Sequence, residues 1–357
     1  MQTKPTITVF GYCTVPHASQ IYTGLYLLKK ANLIQLEFST ANKIPQFFGL
    51  TPTPAHIAAG VFAMIDGQTV FFDLLDSTAE IAILITKVKH YLKRSFVPAL
   101  HSQLGIKPLG LNYEVYNRRP HPEEMRRILA LNCHWKSSLK HKLSTLADAT
   151  GIGFLPRISC FDAESHRPAE SLYDVLFIAR TWDPQEPQIS LSEAEREDRF
   201  QINLTRAALI RTLKAELGER FLGGLSATPH ARKEFPDIVL DNAMITKKKN
   251  YLQMVPRIPI CIATTGLHGS IGWKFAEYIA LGRAVVAEAT NIEVPHQFAE
   301  GKHFLSFTTN EHCVANIERL LKDQGYRAQM MQNNKAYYNQ HLRPDMFVLG
   351  AIASIKA

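Results

Sequence analysis

Gly266, Gly269 and Gly272, followed by Lys274 and Glu277, form the stretch of this chain best equipped to handle a phosphate. They lie between an apolar run, residues 260–263, and a helix expected to open near Trp273. Such a junction aims backbone N–H groups and the positive end of a helix at one point. Gly269, Ser270, Ile271 and Gly272 would supply amides, and Lys274 a neutralising charge. Glu277 falls one turn after Trp273 on the same helix face, where its carboxylate could accept hydrogen bonds from a ribose diol. A nucleotide site is the first hypothesis. The plain alternative is a helix packed closely on a sheet, which also uses glycine-rich turns.

Other side chains could serve the same chemistry. His17 lies in the loop after the first expected strand and reads either as a sugar contact or general base, or as a surface or helix-capping histidine. Asp73 and Asp76, three apart after another strand, could hold a hydroxyl, act as a base, or cap a helix. Arg180 follows a buried run at 175–179, a place suited to a diphosphate or to a surface salt bridge. Lys249, in the basic turn 246–252, could approach a nucleotide or stay solvated.

The elements that must position these groups read as α/β. Residues 7–10 are a first strand, and Ser19 or Thr23 starts a helix after it. No Gly-x-Gly-x-x-Gly follows that strand, so a dinucleotide fingerprint is missing where a dehydrogenase would need it. Asp66-Gly67 between 62–65 and 69–72 predicts a hairpin. The basic run 87–94 is expected to be a solvated, partly amphipathic helix face, with contact to an anionic acceptor or lipid headgroups as the sharper alternative. Helices are expected at 123–130 and 137–149, and an interdomain linker at 160–170. A second α/β unit begins at the strand 175–179. It continues through a long helix announced by the capping box Ser192 to Glu195, a strand at 304–307 and helices at 311–322 and 326–339.

Composition narrows the classes. With 357 residues, 46% hydrophobic and 20% charged, two ordinary globular domains are expected. The longest apolar runs, 57–65 and 81–85, are too short to span a bilayer, and the amino terminus lacks a signal-peptide core, which points to the cytoplasm. The five cysteines include no Cys-x-x-Cys and the fourteen histidines no His-Glu-x-x-His, so neither a structural metal nor a cofactor is expected. A net charge of +8 favours an anionic partner: a sugar nucleotide, a membrane surface or a nucleic acid. Its dispersion offers little for nucleic acid.

Residues 269–274 and 276–286 resemble the EAxAxGxPVV segment of group 1 glycosyltransferases. Residues 91–95, 107–111 and 333–338 are similar to segments of bacterial polysaccharide-cluster transferases. The resemblance implies the GT-B architecture, two Rossmann-like domains facing across a cleft with the C-terminal helix crossing back. Residues 1–168 would bind the acceptor, 169–340 the nucleotide-sugar, and 341–357 would pack on the first domain. It implies a metal-independent enzyme with a nucleotide-sugar donor as substrate and a saccharide or lipid-linked acceptor, working in surface polysaccharide or lipopolysaccharide synthesis. It would stay in the cytoplasm, with peripheral contact at the inner face of the membrane. By position, Glu277 would hold the ribose, the loop Gly269 to Gly272 would face the diphosphate, and Arg180 with Lys249 or Lys274 would neutralise it. Many retaining members carry a glutamate eight residues before the ribose glutamate, where this chain has Gly269. An inverting reaction would need a base from the first domain, for which His17 and Asp76 are the candidates. A non-catalytic nucleotide-sugar-binding protein of the same fold is the rival reading.

Overall fold

Ile7 and Val9 turn into the core from β1 (Thr6–Phe10), and α1 (Ser19–Lys30) returns the chain to β2 (Gln35–Ser39), parallel to β1. This structure is a computed structural model describing residues 4–13, 15–117, 173–187, 189–240 and 242–356. Asp66 (φ 47°) and Gly67 (φ 80°) make the left-handed two-residue turn that joins β3 (Gly60–Ile65) to β4 (Gln68–Asp73). The hairpin makes β3 antiparallel to both β1 and β4, so the first sheet is mixed where a Rossmann-like unit would be wholly parallel. Two antiparallel steps restore direction. The carboxyl ends of β1, β4 and the parallel β5 (His90–Lys93) therefore share one edge of a sheet ordered β2-β1-β3-β4-β5-β6, closed by β6 (Lys107–Pro108).

The basic run 87–94 is not the expected solvated helix face. Its centre is β5, with Tyr91 packed into one core and Leu92 into the core on the opposite face, the period-two alternation of a strand. Lys93 is wholly buried because Asp73 Oδ2 and the Ala79 carbonyl each accept from its ammonium at 2.9 Å. A buried charge survives when paired and hydrogen-bonded in this way.

The second unit runs β7 (Val175–Ala179), α2 (Glu193–Leu217), β8 (Phe221–Leu225), α3 (Lys248–Met254), β9 (Ile260–Ala263), α4 (Trp273–Ala280), β10 (Ala284–Glu288), β11 (Leu305–Phe307), α5 (Asn310–Lys322) and α6 (Gln324–Tyr337). Ser192 Oγ accepts from the Glu195 amide (3.3 Å) and Glu195 Oε2 from the Ser192 amide (2.8 Å), the expected capping box at the start of α2. All strand pairings are parallel, in the order β11-β10-β9-β7-β8. Each residue of β7 is buried because helices cover both faces. The order reverses at β7, which pairs with β8 on one side and β9 on the other. The crevice between the carboxyl ends of β7 and β9 is thus the switch point where ligands of open α/β sheets bind.

After α6 a π-helical turn, Tyr338–Leu342, leads into α7 (Pro344–Lys356). Phe347, Val348, Ile352 and Ile355 join Ile21, Leu25 and Leu28 of α1 in the first unit's core. Gly24 permits this contact, since a Cβ there would lie 2.0 Å from the Pro344 carbonyl oxygen. The expected boundary at 168/169, the linker at 160–170 and the helices at 123–130 and 137–149 lie outside the described residues.

Candidate active site

On the second unit, the loop between β9 and α4 is anchored at its foot. Arg206 of α2, almost wholly buried, donates to Thr264 Oγ1 (3.1 Å), the Thr265 carbonyl (2.8 Å) and the Arg180 carbonyl (2.8 Å), bridging the switch-point crevice with the protein's own guanidinium. Burial pulls that guanidinium down to about 10. Glu288, at the end of β10, accepts from the Thr265 amide and hydroxyl, both at 2.8 Å. The loop then folds on itself: Gly266 N–H donates to the Ser270 carbonyl (2.8 Å) and Ser270 N–H to the Leu267 carbonyl (3.2 Å). His268 (φ 60°) and Gly269 (φ 67°) turn the corner in the left-handed region. A Cβ on Gly269 would meet nothing within 4 Å, so it is the backbone angle that favours glycine there.

Helix α4 opens at Gly272 without a side-chain cap. Trp273 and Glu277 share its face. Glu277 is 3% exposed; Lys248 of α3 donates to its Oε1, while Oε2 is buried without a hydrogen-bond partner among the described residues. The Trp273 indole Nε1 is likewise buried and unpartnered among them. Beside the loop opens a pocket of about 280 Å³, lined by Thr264, Gly272, Glu288 and Thr290 among others, with Phe275 and Phe304 supplying apolar surface.

The first unit brings Asp76, Arg94 and His17 to the facing side. Asp73, at the end of β4, roots the next loop by accepting from the Leu75 amide (2.9 Å) and the Tyr91 hydroxyl (2.6 Å) as well as from Lys93. Ser95 Oγ holds the Asp76 carbonyl (2.8 Å), and Arg94 donates to Asp76 Oδ1. His17, in a 3₁₀ turn at Pro16–Ala18, places Nε2 3.7 Å from Asp76 Oδ1, an electrostatic contact longer than a hydrogen bond. Its ring lies 4.7 Å from that of Trp273, so these two side chains touch across the cleft. Burial, and then the Arg94 cation, pull His17 down to about 4 against the opposing pull of Asp76, so the imidazole is neutral at pH 7.

The expected residues fall into separate groups. His17 and Asp76 come together, and Glu277 lies one helical turn beyond the Trp273 that His17 touches. Arg180 is exposed and stacked on Trp182, its Cζ 3.8 Å from the ring centroid. Lys274 does not point at the loop: its ammonium donates to the Ile178 carbonyl at the end of β7, 4.9 Å from the Tyr251 ring, and burial pulls it down to about 7. Ser270 does not offer its amide, which the loop itself uses, and the Ile271 carbonyl is turned to Arg94 (2.8 Å). The first turn of α4 is left to supply amides for an anion. Lys249 lies in α3, with its side chain outside the described residues.

Sequence reasoning missed Arg94, Arg206 and Glu288, and read Lys248 only as part of the basic turn 246–252. A period-two reading of residues 90–93 would have placed Arg94 at a strand's carboxyl end. Nothing local marks Arg206, which looks like any other charge on a long helix. Among the described residues, no group of three His, Cys, Asp or Glu side chains is close enough to hold a metal, and no helix is long and apolar enough to cross a membrane.

No family model and no curated protein matches the sequence. Among solved structures the chain is similar to the C-terminal domain of the group 1 family glycosyl transferase LpcC from Francisella tularensis, at 15% identity and a TM-score of 0.33, over 51% of this chain and 97% of that one. It is similar to Anabaena Alr3699/HepE in complex with UDP and glucose, at 11% identity and a TM-score of 0.40, over 92% and 89% of the two chains. An alpha1,3-fucosyltransferase is similar at 10% identity and a TM-score of 0.43, over 99% of this chain and 91% of that one.

Proposed function

We propose that the chain is a glycosyltransferase that binds a nucleotide-sugar against α4 and passes the sugar to a hydroxyl activated by His17. The observation that carries this reading is Glu277: a buried carboxylate with one oxygen held by Lys248 and the other without a partner among the described residues. An unpaired buried acceptor is costly, and a ribose diol arriving at that face would satisfy it. The first turn of α4 and the Arg180 guanidinium, freed from its stack on Trp182, supply positive charge for the diphosphate as it leaves.

In the reaction the acceptor oxygen bonds to the anomeric carbon while that carbon's bond to the diphosphate oxygen breaks. The acceptor proton passes to neutral His17, and Asp76, 3.7 Å from Nε2, stabilises the imidazolium that forms. One such displacement inverts the anomeric carbon. The acceptor, a saccharide or a lipid-linked sugar of surface polysaccharide synthesis, enters from the side of the first unit.

The test is turnover of a panel of UDP-, GDP-, dTDP- and CMP-sugars with mixed saccharide and lipid-linked acceptors, read as released nucleotide. Turnover is expected with at least one donor, and His17→Ala should lower kcat about 100- to 10,000-fold with binding retained. Binding without turnover across the panel would favour the non-catalytic reading.

A further inference from the structure

Arg94, in the first unit, holds groups on both sides of the cleft with a single guanidinium. One arm, Nη1, donates to Asp76 Oδ1; the other, Nη2, donates to the Ile271 carbonyl at 2.8 Å, in the loop that leads into α4. The side chain is buried, so neither bond is a casual surface contact. Its neighbours tighten the same seam: Ser95 Oγ holds the Asp76 carbonyl, and the Phe96 carbonyl accepts from the Glu293 amide of the second unit at 2.9 Å.

We infer that Arg94 is a positioning residue that ties closure of the cleft to the orientation of Asp76 beside His17. A guanidinium is a rigid planar fork, so its two arms cannot be aimed independently. When the loop carrying Ile271 arrives, it fixes the plane of the fork, and that plane fixes the carboxylate of Asp76. When the loop withdraws, Nη2 loses its acceptor, the fork turns, and Asp76 loses its register with His17. The base is thereby assembled only when the loop that leads into α4 is in place, which limits attack by water on a bound donor. The catalytic part of this inference rests on the proposed glycosyl transfer; the mechanical part does not.

Trp273 supplies a reporter that needs no substrate, because its ring lies against His17 across the cleft. The chain has three tryptophans, so Trp135→Phe with Trp182→Phe leaves Trp273 as the sole emitter. In that background Arg94→Met should shift the emission to the red as Trp273 meets water, with far-UV circular dichroism unchanged. Arg94→Lys, whose single ammonium cannot span both acceptors, should shift it in the same direction and covers the case in which the methionine variant does not fold. With a donor that the wild type turns over, both variants should lower kcat about 10- to 100-fold with the donor KM little changed. In Arg94→Met the acid limb of the rate profile should move to higher pH, since a cation beside His17 is gone. Unchanged emission in both variants overturns the latch. Shifted emission with unchanged kcat and pH profile overturns the link to Asp76. If the wild type turns over no donor, the proposed transfer fails while the emission result still decides the latch.

Discussion

His17 is held below the ordinary imidazole value by its surroundings, and that has a consequence outside catalysis. Its pKa falls from 6.5 to about 4 in the folded chain, through burial first and Arg94 second. Unfolding restores the ordinary value, so the unfolded state binds the proton more readily. Stability linked to His17 is complete above about pH 6.5 and is lost progressively as pH falls toward 4. His17→Gln should remove that component. Between pH 7 and 4 the wild type should lose about 1–3 kcal/mol more unfolding free energy than the variant, measured by chemical denaturation. Parallel profiles would show that His17 is not held neutral. The same depression keeps His17 unprotonated at pH 7 and weakens it as a base. Lys274 shows the opposite lesson: a lysine next to a glycine loop looks like a phosphate ligand, yet its ammonium is committed to the Ile178 carbonyl.

Among the elements, α7 and α1 carry the contact that joins the chain's end to its beginning. Gly24→Ala should cost about 1–3 kcal/mol, because the added methyl meets the Pro344 carbonyl and the Val348 side chain. The check is a lower melting temperature with α7 loosened in hydrogen exchange; an unchanged melt would mean that the two helices slide apart without cost. What could be read from sequence at this scale was local. Asp66-Gly67 encodes its own turn, Ser192 and Glu195 their own cap, and the apolar run, glycine loop and helix around Glu277 appear in order because each is set by near neighbours. What could not be read was set at a distance. β5 is hidden by its charges until Asp73, twenty residues earlier, is seen to neutralise Lys93. The antiparallel β3 makes the first sheet mixed, a consequence of how the hairpin inserts beside β1. Arg94 meets Ile271 across 177 residues, a pairing no window of sequence contains.

At the scale of the whole molecule, two sheets turn their strand carboxyl ends toward one another. From the first come the loops carrying His17, Asp76 and Arg94, and from the second those carrying Arg180 and the glycine turn ahead of Trp273 and Glu277. The first unit carries the proposed base and the second the proposed donor site, so the chemistry exists only where the two meet. The central claim is that Glu277 keeps a buried oxygen for the ribose of a nucleotide. Isothermal titration of UDP, GDP and CMP, each carrying a ribose diol, against the wild-type chain and Glu277→Ala tests it most directly. At least one nucleotide should bind the wild type, with affinity reduced about tenfold or more in the variant, the loss expected for hydrogen bonds to a charged group. Equal binding to both proteins, or no binding by the wild type, would contradict the assignment of this face to a nucleotide.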